Sequence, residues 1–221
     1  MSITRLAVQQ GSEYDFGMTG DEHPPSPLGR PRSEAAGRAI LKAARALVLR
    51  HGYEGVTTQM IAEAAGTGKQ TIYRRWPGKA ELVLDAFVAH AQDRIDRADA
   101  HNEPVEAALA GFLTRLFAAL AETGQAVRGL MAYAQNDPGF RAQLIERLIQ
   151  PRRQALRAVL ETGVARGELP EGADLDATVA AVYGAMWYRL MVDETLDAEF
   201  AARLAAFAVA GLRRPASRRK M

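Results

Sequence analysis

Between Gly66 and Lys79 the chain reads GTGKQTIYRRWPGK, in which Lys69, Gln70, Arg74, Arg75 and Lys79 carry cationic or amide groups, Thr71 and Tyr73 carry hydroxyls, and Ile72 and Trp76 are apolar. On a helix turning about 100° per residue, Ile72 and Trp76 share one side. Gln70 and Arg74 fall opposite, flanked by Thr71 and Tyr73. One face packs and the other is left to recognise something. Amide and cationic side chains suit base edges: glutamine pairs bidentately with adenine and arginine or lysine with guanine, each good pair being worth about 1–3 kcal/mol against the wrong base. Thr58, Tyr73, Arg75 and Lys79 are better placed for phosphate oxygens, as is the positive end of a helix opened by Pro77. The expected chemistry is recognition of a duplex.

Charge is divided in the way such recognition requires. From Gly29 to Lys79 there are ten Lys/Arg against three Asp/Glu, a net of +7, whereas Ala80 to Leu212 holds twelve against nineteen, a net of −7. A basic segment attracts phosphates while an acidic body avoids them. The chain has 221 residues, 48% hydrophobic and 24% charged, an ordinary balance for a globular protein with a core of its own. Its zero cysteines exclude disulfides, thiolate metal sites and a cysteine nucleophile. The first residues hold no apolar run of signal-peptide length. The longest uncharged apolar stretch, Ala177 to Tyr188, falls short of the roughly 18 residues a membrane span needs. A cytoplasmic location without membrane contact is the expectation.

The elements that must position the reading segment follow from periodicity and punctuation. Residues 1–32 are rich in Gly, Pro, Ser and acids without period and are expected to form a disordered arm. Its last residues, GRPR, either lie in a minor groove or are simply solvated. Ile40, Ala43, Ala44, Leu47 and Val48 recur at helical spacing, which predicts a first helix from after Ser33 to His51-Gly52. Thr57 can cap a short second helix through Ala64, with Met60 or Ile61 and Ala64 or Ala65 inward, and Gly66 can supply a left-handed exit. Thr67 and Gln70 have capping-box spacing for a third helix, which can run to about Arg75 or Trp76 before Pro77 opens a fourth. Two short helices joined by a glycine turn and braced by a longer one form a helix-turn-helix.

At this point TTQMIAEAAGTGKQTIYRRWPGKAELVLDAF, Thr57 to Phe87, resembles the DNA-binding domain of the TetR family of transcriptional regulators. The similarity covers roughly Ser33 to Phe87. It implies Thr58, Lys69, Gln70, Thr71, Tyr73, Arg75 and Lys79 at the DNA, with Ile61, Ile72 and Trp76 in the small core. The reading face adds Arg74. The family commonly has serine where this chain has Gly68, which is expected to move the helix cap to Thr67.

Beyond Lys79 the pattern is helical throughout, with breaks expected at His101–Pro104, Glu122–Gln125, Asn136–Gly139, Pro151, Arg166–Gly172 and Asp193–Asp197. The expected fold is therefore all-α, with a helix-turn-helix domain at 33–79 and a body of six or seven helices at 80–212. A basic tail at 213–221 follows. A single reading unit contacts few base pairs, so specificity calls for a homodimer with its units about one helical turn apart, ~34–36 Å, or a multiple of that. The expected seam uses Leu156, Val159, Leu160 and Val164 after Pro151, and Val179 and Val182 in the helix from Asp174. The resemblance further implies a site for an unidentified small-molecule ligand among the central helices. Phe112, Leu116, Met131, Tyr183, Met186 and Trp187 are candidate lining residues, although an apolar stripe of this kind is more often core.

His90 and Asp93 are helical neighbours, but a solvated charged face accounts for them, and neither a metal site nor a cofactor is expected. Nothing resembles a catalytic triad, a phosphate-cradling glycine loop or paired catalytic carboxylates, so an enzyme is not expected. The expected function is a sequence-specific DNA-binding transcriptional regulator, a repressor released by its ligand. Its rival is a DNA-organising or polymer-forming protein with the same head and no inducer, which requires no ligand-sized cavity.

Overall fold

The computed structural model describes residues 29–95 and 103–213, with side chains placed throughout these except at 29–33 and 90–95. The arm before residue 29, the side chains from His90 to His101 and the tail beyond Arg213 lie outside the described residues. Every regular element among the described residues is helical.

Helix α1 (Gly29–His51) begins before the expected start and takes GRPR into its first turn, where Pro31 gives up an N–H that has no helical partner. Its stripe turns inward as expected: Ile40, Ala44 and Val48 are buried, with Ala43 and Leu47 packed at their edges. Gly52 follows in the left-handed region at φ 71°. Helix α2 (Thr58–Ala64) is capped by Thr57, whose Oγ1 accepts from the Met60 N–H at 3.2 Å. Ile61 faces the core and Ala65 packs at its edge, as two of the expected alternatives had it, and Ala62 is buried beside them.

The entry to α3 (Lys69–Tyr73) differs from the expected capping box. The Thr67 N–H bonds back to the Ala62 carbonyl at 2.9 Å and the Gly66 N–H to Glu63 at 3.1 Å, with Gly66 at φ 64°, so Thr67 closes α2 and is not available to open α3. The cap is Gly68, with no side-chain bond. Pro77 likewise does not open the next helix. Its successor Gly78 accepts from the Leu82 N–H at 3.3 Å, and α4 (Lys79–Ile95) begins beyond it.

The body is organised on α5 (Val105–Asn136), a 32-residue helix that runs through the break expected at Glu122–Gln125. Gly124 does not end it because tertiary packing outweighs a glycine's modest helix penalty. A Cβ there would stand 2.9 Å from Leu190 Cδ1, so the glycine admits a neighbouring helix. Asp137 caps α6 (Pro138–Leu144) by accepting from the Phe140 N–H at 2.9 Å.

The expected break at Pro151 is a widened π-helical turn (Ile145–Ile149) leading without interruption into α7 (Gln150–Ala165). Proline lacks the N–H for the preceding turn and crowds its carbonyl, and one turn of wider pitch accommodates both. Helix α8 (Leu175–Met191) is capped by Asp174 and α9 (Ala198–Arg213) by Asp197, whose carboxylates accept from the Ala177 and Phe200 N–H groups. Phe117 of α5 stacks on Phe200 of α9 with centroids 5.7 Å apart.

The apolar interior forms two clusters. One joins α1–α4 to Ala126, Leu130 and Ala134 of α5, Phe140 and Leu144 of α6, and Leu148 of the π-turn. The other fills the space among α5, α7, α8 and α9. Met131 packs against both. The basic head is thus cored partly by residues of the acidic body.

Candidate functional site

Helix α3 is five residues long and has no side-chain cap, so its position depends on what holds it from behind. Ile72 is fully buried and Trp76 nearly so. Trp76 Nε1 donates to Asp85 Oδ2 of α4 at 2.8 Å, and Arg147 of the π-turn meets Asp85 Oδ1 in an ion pair at 2.6 Å. The reading helix is therefore tied through two polar contacts to the π-turn.

On the outer side Lys69, Gln70, Tyr73 and Arg74 are exposed and adjacent, and Thr71 is half-buried beside them. Tyr73 Oη and Thr58 Oγ1 lie 2.9 Å apart, bringing two of the candidate phosphate contacts together across the α2–α3 turn. Arg75 is half-buried and its guanidinium lies over Gly37 of α1, where a Cβ has no room. Lys79 is also engaged: its Nζ donates to the Tyr53 carbonyl at 2.9 Å and stands 4.2 Å from the Tyr53 ring centroid. An ammonium has three donors, so this bond fixes Lys79 at the start of α4 and leaves protons for a phosphate. Sequence periodicity could not show either tether.

A cavity of about 610 Å³ opens among α5, α7 and α8. Of the candidate ligand-site residues, Phe112, Leu116, Tyr183, Met186 and Trp187 line this cavity. Met131 does not, because it sits where the two cores meet. The sequence reading missed Arg152, which enters the cavity from the first turn of α7 and donates to the Leu148 carbonyl at 2.7 Å. An arginine one residue after a proline in a helical segment carries no distinguishing signal.

The expected seam residues require correction. Leu156, Leu160, Val179 and Val182 are buried inside the chain's own second core, and Val159 lines the cavity, so none of these five is left to face another subunit. Val164 is partly buried against the same core. Exposed apolar residues among those described include Ala177, Ala181, Gly184, Tyr188 and Met191 along α8 and Phe207 on α9, with Tyr188 64% and Phe207 74% accessible. The residues recur at helical spacing on the side of α8 opposite to the one expected. A helix apolar nearly all round hides which side is outward until its neighbours are placed.

A helix-turn-helix with a buried-backed reading helix, set on an all-helical body with a cavity, defines a regulator of the helix-turn-helix class. The profile described as bacterial regulatory proteins, tetR family, matches residues 40–86, and that described as tetracyclin repressor-like, C-terminal domain, matches residues 99–208. The chain is 35% identical to the HTH-type transcriptional regulator YdeS of Bacillus subtilis over 179 residues, covering 78% of this chain and 87% of that one. It is 29% identical to the DNA-binding transcriptional repressor TetR of Mycobacteroides abscessus over 191 residues, 85% of this chain and 98% of that one. The crystal structure of a TetR transcription regulator from Haloarcula marismortui superposes with a TM-score of 0.66 at 20% identity, covering 82% of this chain and all of the other. The chain belongs to the TetR family and is a DNA-binding transcriptional regulator. No helix among the described residues is long and apolar enough to cross a membrane.

The Trp76–Asp85 bond gives a direct test of how α3 is held. Trp76→Phe keeps a buried ring and deletes one hydrogen bond, so a loss of about 1 kcal/mol is expected, read as a fall of about 2–4 °C in the thermal midpoint. An unchanged midpoint would remove Asp85 from the support of the reading helix.

Proposed function

We propose that the protein is a homodimeric repressor whose reading heads are released from an operator by a small molecule held in the body. The carrying observation is that the segment bearing the exposed Lys69, Gln70, Tyr73 and Arg74 is connected through Trp76, Asp85 and Arg147 to the π-turn, whose own Leu148 and Ile149 line the cavity. A ligand that shifts this turn acts on the anchor of α3, and the equilibrium moves by the ligand's differential affinity for the two arrangements. A two-subunit seam over Tyr188 and Phe207 would cover the exposed apolar faces of α8 and α9 and set the spacing of the heads. The rival reading, a DNA-organising protein without an inducer, gives no reason for a cavity of this volume.

Lys69 and Gln70 stand at the leading end of α3, where base edges are met, and Lys79, Thr58 and Tyr73 flank it. Lys69→Ala or Gln70→Ala is expected to change base preference, by about 1–3 kcal/mol at the affected position. Lys79→Ala is expected to weaken binding to all sequences alike and to reduce the salt slope by about 1. Sites selected from random DNA, then titrated at several salt concentrations, provide the measurement. Equal losses on every sequence for all three variants would defeat the division into base and phosphate contacts.

A further inference from the structure

The cavity has a charge pattern that specifies more than size. Most of its wall is carbon, from residues such as Phe112, Leu116, Val159 and Met186. Four arginines reach it, and Glu103 is the only acid among the described lining residues. Two of the four are occupied elsewhere: Arg45 meets Glu122 at 3.7 Å, and Arg166 meets Glu168 at 3.2 Å and donates to the Glu103 carbonyl. Arg115 stands exposed at the rim. Arg152 is different. It is half-buried in the cavity wall, and among the described residues no carboxylate pairs with it; its guanidinium donates to the Leu148 carbonyl and to no other described group.

Tyr183 lines the same cavity, and its hydroxyl is buried with no hydrogen-bond partner among the described residues. Burial holds the Arg152 guanidinium below its ordinary pKa and the Tyr183 phenol above its own, while the two act on each other electrostatically. A partly desolvated cation without a counter-charge and a buried hydroxyl without a partner are both costly, and one ligand group that answers both would remove the two costs together. One group supplies charge and several N–H donors, the other a single O–H.

Resting on the reading of this cavity as the ligand site, we propose that its ligand is an apolar molecule bearing a single carboxylate, with the carboxylate held by Arg152 and Tyr183 and the apolar body by α5 and α8. A guanidinium fork and a hydroxyl match the planar, acceptor-only carboxylate. A neutral ligand would leave the arginine charge unanswered, and a cation would oppose it. Because Arg152 is also bound to the π-turn carbonyl, a carboxylate that draws on its N–H groups acts at the start of the connection to Arg147, Asp85 and Trp76.

The test uses matched probes on the full-length protein: dodecanoate, dodecanol and dodecylamine, and the aromatic pair naphthoate and naphthalenemethanol. Affinity is measured by calorimetry without DNA, and displacement from a selected operator is scored separately. At least one acid is expected to bind about tenfold or more tightly than its alcohol, with the amine weakest, because a charge-assisted contact in a partly dry site is worth that factor. In Arg152→Met the preference for acid over alcohol is expected to fall to near one, Arg152→Lys should restore part of it, and Tyr183→Phe should lower it severalfold. A preserved thermal midpoint in the lysine variant separates ligand chemistry from misfolding. Equal binding of acid and alcohol in both series, no binding of either, or a preference untouched by Arg152→Met would overturn the proposal. Arg152-dependent binding of the acid without release of DNA would uphold the ligand class and refute the release reading.

Discussion

Replacing Ile72 with alanine is expected to cost about 2–5 kcal/mol, the range for removing a large aliphatic side chain from a closed core. For a chain of this length each kcal/mol moves the thermal midpoint by about 2–4 °C, so the change is plain in a melting experiment. The effect is placed at the high end of substitutions because Ile72 is fully buried and α3 is short: five residues, no side-chain cap, and Trp76 just beyond it as the next buried side chain. DNA affinity should fall with stability, since a reading helix that must be ordered on binding charges that ordering against the complex. Hydrogen exchange should show the loss concentrated in residues 58–76. A midpoint within about 2 °C of the parent, with DNA binding intact, would mean that α3 is held by something other than its inward face.

The second large effect lies outside the reading helix. A Cβ at Gly129 of α5 would stand 2.5 Å from Tyr53 Cβ and 2.9 Å from its Cγ, closer than atoms tolerate, so Gly129→Val must displace Tyr53 or the helix. Overpacking of this kind costs about 1–3 kcal/mol. Tyr53 is also the residue that holds Lys79, through its carbonyl and its ring, and the ring lies 6.4 Å from that of Tyr133. Displacing it is therefore expected to weaken DNA binding uniformly and to flatten its salt dependence in the manner of Lys79→Ala. Combined with Lys79→Ala, the two losses in DNA affinity should not add, because both remove the same positioned charge. Losses that add within about 0.5 kcal/mol would show that Gly129 acts on stability alone.

These two residues mark different degrees of legibility. Ile72 is visible from spacing, because a short amphipathic helix must turn its isoleucine and tryptophan the same way whatever it packs on. The helical run around Gly129 points to nothing, and Gly124, five residues earlier, reads as a break. Both glycines sit inside α5 because other elements approach there, Tyr53 at one and Leu190 at the other.

Local chemistry by itself determined the all-helical class, the inward stripe of α1, the Thr57 cap, the left-handed Gly66 and the separation of exposed and packing faces on α3. Each depends on interactions within about one turn of chain, and such interactions are encoded by spacing. Tertiary structure alone decided the rest. It assigned Thr67 to the end of α2, converted the Pro151 break into a π-turn, and buried Leu156 and Val179 within one subunit while exposing Tyr188 and Phe207. It also placed Arg152, without a carboxylate partner among the described residues, in the apolar cavity that Tyr183 lines. The physical reason is common to all of them: which side of a helix is inward, and which charge lacks a partner, depends on side chains far away in sequence that only packing brings within reach.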